Sequence, residues 1–264
     1  MTPATAAGAG TGAGAGAAER ARRLRDLHRG RRAHDPLVLP GPWDAASARA
    51  FEAAGFPALA TPSAGIAASL GYEDGATPPG EMFAAVARIV RSVSVPVTAD
   101  LEGGYGLPAA ELVERVRESG AVGVNLEDTD RATGGLKDAG AHAEWLARVR
   151  DAAGPDLFLN ARVDAYLRGG PDPAGEALVR AHLYAAAGAD GVYPIGAPPA
   201  DLPALRGTVG NLSLNALAVP GGPPFAELGR LGADRVTFGG ALLRRAVGGL
   251  ADLAAELRAG HLTG

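Results

Sequence analysis

Cysteine is absent from the 264 residues, which excludes disulfides, thiolate metal sites and a cysteine nucleophile or acid. Lysine is nearly absent too: Lys137 stands alone against 24 arginines. No run of about 18 apolar residues exists, so no membrane-crossing helix is expected. No secretory apolar segment opens the chain, and with no cysteine this points to a cytoplasmic protein. A basic excess is also missing. The formal charge is −4 and no basic stripe interleaves with the 5% aromatics, so neither nucleic acid nor a membrane is an expected partner.

What is present can bury a large core: 47% of the residues are hydrophobic, in a length that all-parallel barrels occupy as one domain. Met1 to Ala18 is an Ala/Gly/Thr tract without charge or periodicity, expected to be a disordered tail (1–18) because it buries too little to offset its ordering entropy. Residues 19–264 are expected to form the single domain. Its first stretch, Glu19 to Arg32, is dense in arginine with Leu24 and Leu27 on one side, which suits an amphipathic helix on the domain's underside or on a partner.

Eight short apolar runs follow, each leading into a helical pattern: Leu37–Pro40, Ala58–Thr61, Val95–Leu101, Gly123–Asp128, Leu157–Val163, Gly191–Ile195, Leu212–Ala218 and Arg235–Gly239. The helical patterns are clearest at Ala45–Ala54, Gly80–Ser92, Ala109–Ser119, Ala141–Ala153, Pro173–Ala187 and Ala241–Ala259. Several end in a glycine stop, at Gly55, Gly120, Gly188 and Gly232, each suited to a left-handed helix cap. The fold class is therefore α/β, a (β/α)₈ TIM barrel. A doubly wound open sheet is the alternative, but no Gly-x-Gly-x-x-Gly follows the first run.

The chemistry concentrates at Val97–Gly106, where an apolar strand meets Asp100 and Glu102 and then a glycine-rich turn. Residues two apart on a strand share a face, so these carboxylates should repel unless a cation lies between them. Oxygen ligands alone suit Mg²⁺ or Mn²⁺ better than zinc, with Gly103 and Gly104 letting backbone approach a ligand. A solvated strand end or a helix cap is the competing reading. In a barrel, catalytic groups gather at the C-terminal ends of strands. Polar residues do crowd there: Asn125 and Glu127, then Asn160, Arg162 and Asp164, then Asn215. They either converge on a ligand or pair among themselves, Arg162 with Glu127 for example. Trp43, after the first run, is a packing anchor or a pocket wall; His142 and His182 fall on helix patterns and read as surface or interface residues.

These stretches carry a resemblance. Asp100-Leu-Glu-Gly-Gly-Tyr-Gly106, Asn125-Leu-Glu-Asp128 and Asn160-Ala-Arg-Val-Asp-Ala165 resemble the motifs of the isocitrate lyase / phosphoenolpyruvate mutase superfamily, in its order. Thr61-Pro-Ser-Ala-Gly65 is similar to that family's Ser-Gly-Gly loop, and Ser69-Leu-Gly-Tyr-Glu-Asp74 to its segment bearing a further metal-shell aspartate. The resemblance implies Mg²⁺ held by Asp100, with Asp74, Glu102 and Glu127 in its outer shell. It implies a small 2-oxo or 2-hydroxy carboxylate gripped by backbone at Ser63, Ala64 and Gly65, with Arg162 and Glu127 catalytic and an enolate formed as a bond to carbon or phosphorus breaks. Asn125, Asn215, Gly103, Gly104 and Trp43 complete the expected substrate site, and the assembly implied is a homodimer or homotetramer, with an apolar stripe available at Leu242–Leu257.

The departures from the family pattern are informative. The lyases carry a Lys-Lys-Cys-Gly-like gating loop, whereas this chain has Thr129-Asp-Arg-Ala-Thr-Gly-Gly-Leu-Lys-Asp138; they also carry a Phe-Pro-Glu-like run where this chain has Tyr193-Pro-Ile-Gly196. Both losses argue against tricarboxylate-type substrates and leave a carbon–carbon lyase or decarboxylase acting on a smaller acid. Phosphoenolpyruvate mutase or phosphonopyruvate hydrolase chemistry is one alternative. A phosphosugar barrel using Gly221-Gly222 and Gly239-Gly240, or a scaffold without catalysis, is another. Lys137, in the Thr129–Gly140 loop, is either a catalytic group on a mobile lid or an ordinary solvated lysine.

Overall fold

The computed structural model describes residues 11–262. Eight strands form: β1 (Leu37–Val38), β2 (Leu59–Thr61), β3 (Val97–Asp100), β4 (Gly123–Glu127), β5 (Phe158–Val163), β6 (Gly191–Pro194), β7 (Ser213–Leu217) and β8 (Arg235–Thr237). All eight fall inside the expected runs, because each is an apolar segment buried on both faces, as an all-parallel sheet requires. β2 to β8 pair in parallel in chain order and β1 pairs with β8. The Ala60 N–H donates to the Pro40 carbonyl at 3.1 Å and joins the remaining edges, so the sheet closes as a (β/α)₈ barrel.

The helices are α1 (Thr11–His28), α2 (Ala45–Ala53), α3 (Ser63–Leu70), α4 (Pro79–Arg91), α5 (Ala109–Ser119), α6 (Ala139–Ala153), α7 (Ala165–Arg168), α8 (Pro173–Ala186), α9 (Leu202–Val209), α10 (Phe225–Arg230) and α11 (Ala241–Arg258). Four glycine stops hold positive φ, at Gly55 (88°), Gly120 (78°), Gly188 (89°) and Gly232 (111°), conformations that a Cβ would strain. The core lies between barrel and helices, where Ile66, Met82, Ile89, Leu112, Leu126 and Leu146 are fully buried. α3, α7, α9 and α10 were not legible as helices. They have 4 to 8 residues, too few to display a period, and are held by their seats on the barrel.

The N-terminus requires a correction. Residues 1–10 of the expected tail lie outside the described residues, but Thr11–Ala18 is the first part of α1 rather than a tail. Alanine is the best helix former, and the tract borrows tertiary contacts: Ala17 and Ala18 line a crevice with Val122 and Leu157. Below them Ala21 and Leu24 are completely buried under the barrel floor, Arg25 pairs with Asp190 at 3.2 Å, and the His28 ring stacks on Phe158 at 4.2 Å. Glu19–Arg32 thus does lie on the barrel bottom.

Candidate active site at the barrel mouth

Strand register brings the polar residues together. Asp100 is level with Asn125 and Asn125 with Asn160, while one layer higher Glu127 is level with Arg162 and Arg162 with Tyr193. In the lower layer Asn160 Nδ2 donates to Asn125 Oδ1 at 2.9 Å, and the fully buried Arg235 donates to the same oxygen at 3.3 Å. In the upper layer Arg162 is held from three sides. Its Nε and Nη2 donate to the two carboxylate oxygens of Asp164 at 2.7 and 3.1 Å, and its Nη1 lies 2.8 Å from Glu127 Oε2 and 3.5 Å from Asp100 Oδ2. Asp164 is itself fixed by the Asp128 carboxylate, which accepts its backbone N–H at 2.8 Å, and by the Thr129 hydroxyl.

Glu102 reaches the cluster by another route than expected. β3 ends at Asp100, and Glu102 sits in the left-handed region at φ 55°, followed by Tyr105 at φ 57°. The two acids therefore do not share a strand face; a strained turn swings Glu102 back, and its N–H donates to Asp100 Oδ1 at 3.2 Å. Its Oε2 accepts from Arg131 Nη2 at 2.7 Å, while its Oε1 is buried without a partner. Arg131 also lies 3.4 Å from Glu127 Oε1 and donates to the Gly75 carbonyl at 2.6 Å, tying the loop of Asp74 to the cluster. Burial raises the Asp100 carboxyl above its ordinary range, and pushes Glu102 up to about 7 and Glu127 up to about 8. The arginines pull the other way without cancelling it.

A cavity of about 290 Å³ opens above this cluster. Of the residues singled out from sequence, it brings together Ser63, Ala64, Asp74, Asp100, Asn125 and Arg162. Glu102 and Glu127 stand behind its wall, through their arginines. The other expected residues lie elsewhere. Gly65 is inside α3, where a Cβ would come 2.7 Å from Pro62, so its smallness serves packing; the whole Ser63–Gly65 stretch is the first turn of a helix, not an open loop. Gly103 and Gly104 face away from the cavity, against Lys137 and Trp145. Asn215 is fully buried and accepts from Thr237 at 3.1 Å, and Trp43 packs edge-on to Phe51.

Lys137 is not brought to the cavity. Its Nζ reaches the carbonyls of Gly103 and Glu127 at 3.3 and 3.4 Å and lies 5.7 Å from the Trp145 ring, on the outer groove between α5 and α6. Its loop is pinned as a small hairpin by the Thr129–Leu136 bridge and by Lys137 N–H to the Asp128 carbonyl. His142 is not a surface residue but is 3% exposed, stacked on Trp145, whereas His182 is exposed. Reading the sequence missed Arg131, Tyr193, Thr237 and Arg244. Arg131 lies only four residues beyond Glu127, the one signal available; nothing local marks the other three.

Does a hard divalent cation fit? The donors in reach are oxygen only, Glu102 keeps a buried oxygen unpartnered, and the acids outnumber the guanidinium groups among them. Among the described residues no three Asp, Glu or His side chains close into a ready cage. Mg²⁺ keeps several waters and takes one or two carboxylates, so it does not require such a cage. The residues fit the ion.

A closed (β/α)₈ barrel with an acid and arginine cluster at its C-terminal mouth is an enzyme architecture. The phosphoenolpyruvate phosphomutase family model matches residues 24–258, and the chain belongs to that family, within the isocitrate lyase / PEP mutase superfamily. It is 30% identical over 240 residues to 2,3-dimethylmalate lyase of Eubacterium barkeri, covering 84% of this chain and 81% of that one. Among solved structures, a barrel from Burkholderia cenocepacia J2315 is 39% identical, with a TM-score of 0.82 over 90% of this chain and 99% of that one. Oxaloacetate acetylhydrolase in complex with oxalate is 25% identical, with a TM-score of 0.82 over 94% and 89%.

Proposed function

We propose that this chain is a Mg²⁺- or Mn²⁺-dependent enzyme of the cytoplasm that cleaves a carbon–carbon bond in a small 2-oxo or 2-hydroxy carboxylic acid. The observation that carries the reading is the small cavity in which Asp74 and Asp100 face Arg162 and the first turn of α3. At about 290 Å³ it has room for a small acid. Asp100 would hold the metal, with Asp74, Glu102 and Glu127 around its waters. The bound ion supplies a Lewis acid at the substrate's oxygen as charge develops there.

The chain's own residues do the rest. Arg162, locked to Asp164 and Glu127, offers a fixed guanidinium to the substrate carboxylate and to the negative charge that grows on bond cleavage. The free N–H groups at the start of α3, near Ser63 and Ala64, grip that carboxylate. The Tyr193 hydroxyl lines the cavity, and burial pushes its pKa up to about 12, so it keeps a proton at neutral pH. With Ser63 and Thr237 it supplies the cavity with O–H donors where no cysteine exists. Leu217, Val219 and Phe238 give the cavity an apolar wall.

Among the described residues no helix is long and apolar enough to cross a membrane. Copies of the chain assemble, in this proposal, through α11, whose Val247, Leu250, Leu253 and Leu257 form one exposed stripe; light scattering returning a monomer would contradict it. The test of function is purified protein with Mg²⁺ against oxaloacetate, 2-methylmalate, phosphonopyruvate and phosphoenolpyruvate, following pyruvate and oxalate. Turnover of a carbon–carbon substrate that chelation abolishes supports the reading. Turnover confined to the phosphonate or phosphate substrates replaces it with phosphorus–carbon chemistry, and no turnover together with no Mg²⁺ binding leaves a scaffold.

A further inference from the structure

β8 carries a residue that the reading above leaves unused. Arg235 is fully buried, and its Nη2 donates to Asn125 Oδ1 at 3.3 Å. β8 and β4 stand on opposite sides of the eight-stranded ring, so this side chain crosses the barrel interior. A guanidinium is costly there without partners, yet among the described residues Nε and Nη1 have none. Burial pulls its pKa down to about 10, which leaves it a cation at neutral pH. Arg235 does not line the cavity, whereas Asn125 does, so its route to the site runs through that amide.

What Arg235 does there follows from donors and acceptors. An amide side chain has an oxygen that accepts and an NH₂ that donates, alike in shape, and its partners decide which way each faces. A guanidinium only donates. The Asn125 atom turned toward Arg235 is therefore the oxygen, which also accepts from Asn160 Nδ2 at 2.9 Å. Both lone pairs are used inside the barrel, and the NH₂ is left for the cavity that Asn125 lines beside Asp100. The two asparagines alone would be better satisfied the other way round. Asn160 Oδ1 is buried without a partner, and turning both amides over would let it accept from Asn125. Arg235 opposes that turn, because it would then meet an NH₂, donor against donor.

We propose that Arg235 is a positioning residue: from the far side of the barrel it holds the Asn125 amide with its N–H groups toward the cavity, where they donate to an oxygen of the bound acid. The proposal rests on the oxo-acid reading for the ligand, while the orientation of the amide stands without it. Donors fixed before the ligand arrives need no reorganisation as negative charge develops on that oxygen.

The chain has four asparagines, so isotope-labelled asparagine gives four side-chain NH₂ pairs in a magnetic resonance spectrum, and Asn125→Asp identifies one of them by its loss. In the free parent the Asn125 pair is expected to exchange with water at least about tenfold faster than those of the fully buried Asn160 and Asn215. Arg235→Met is expected to slow that exchange about tenfold as the amide turns over, and to weaken oxalate, a planar dianion, about tenfold in calorimetry of the Mg²⁺-loaded protein. Arg235→Lys, whose ammonium also only donates, is expected to keep part of both. In Asn125→Ala, which has no amide to orient, Arg235→Met is expected to change oxalate affinity by less than about twofold. Exchange unchanged in Arg235→Met overturns the proposal, and so does an equal loss of oxalate affinity with and without the Asn125 amide, which marks a merely structural charge. If Arg235→Met does not fold, Arg235→Gln, which accepts as well as donates, takes its place with the same expectations. If the parent does not bind oxalate, the oxo-acid reading fails, and the exchange rates alone decide for or against the orientation.

Discussion

Glu127 and Asp128 are adjacent in the chain and equally buried, yet they serve opposite ends. Asp128 turns toward α8, where Oδ1 accepts the Asp164 N–H at 2.8 Å and Oδ2 accepts from the Tyr184 hydroxyl at 2.7 Å and from Arg180 at 3.1 Å. Glu127 turns toward the mouth, into a cluster where Asp100, Glu102, Asp164 and Glu127 itself share Arg162 and Arg131. Burial raises the carboxyls of both residues. Asp128 has donors of three kinds, whereas the two oxygens of Glu127 are met only by guanidinium groups that other acids share, Arg162 at 2.8 Å and Arg131 at 3.4 Å. A saturated buried acid holds helix to barrel; an undersupplied one beside a cavity is kept for a ligand.

The contrast breaks most sharply at Asp100. Asp100→Asn is expected to lower kcat/KM by about a thousandfold, ~4 kcal/mol, and to abolish Mg²⁺ binding by calorimetry, with the melting temperature unchanged or raised because a crowded charge is gone. Asp128→Ala should do the reverse. It strands Arg180 and Tyr184, so denaturant unfolding should show a loss of about 3–5 kcal/mol, while the folded fraction binds Mg²⁺ as before. Equal stability losses in the two variants would erase the distinction.

A smaller effect comes from the buried imidazoles. Burial pushes His28 and His142 down to about 3, far below the unfolded value near 6.5. Between those values the unfolded chain takes up protons that the folded chain refuses, so stability is full above about pH 6.5 and falls as the pH drops toward 3. The slope should approach ~1.4 kcal/mol per pH unit for each histidine, and His28→Phe should remove one share of it in acid unfolding titrations. The smallest effect is expected at Lys137. Lys137→Ala should cost about 1 kcal/mol of stability through its carbonyl contacts and leave turnover within about twofold; a larger fall in turnover would return the lysine to the reacting half of the site.

The sequence by itself determined the barrel and its polar mouth, because strand identity is written in local apolar runs and because β4 and β5 are regular enough for the spacing of Asn125/Glu127 and Asn160/Arg162 to survive into three dimensions. It could not place Glu102, since a left-handed turn, not a strand, brings that acid back. It could not divide Glu127 from Asp128, because two neighbouring acids look alike until α8 supplies partners for one. It could not send Lys137 outward to Trp145, make a helix of Thr11–Ala18, or see that Arg244, over eighty residues from Arg162, overhangs the same cavity. Local pattern encodes which side chains alternate and where helices stop. Only chain closure, which sets residues distant in sequence side by side, decides which buried charges are satisfied and which are left for a ligand.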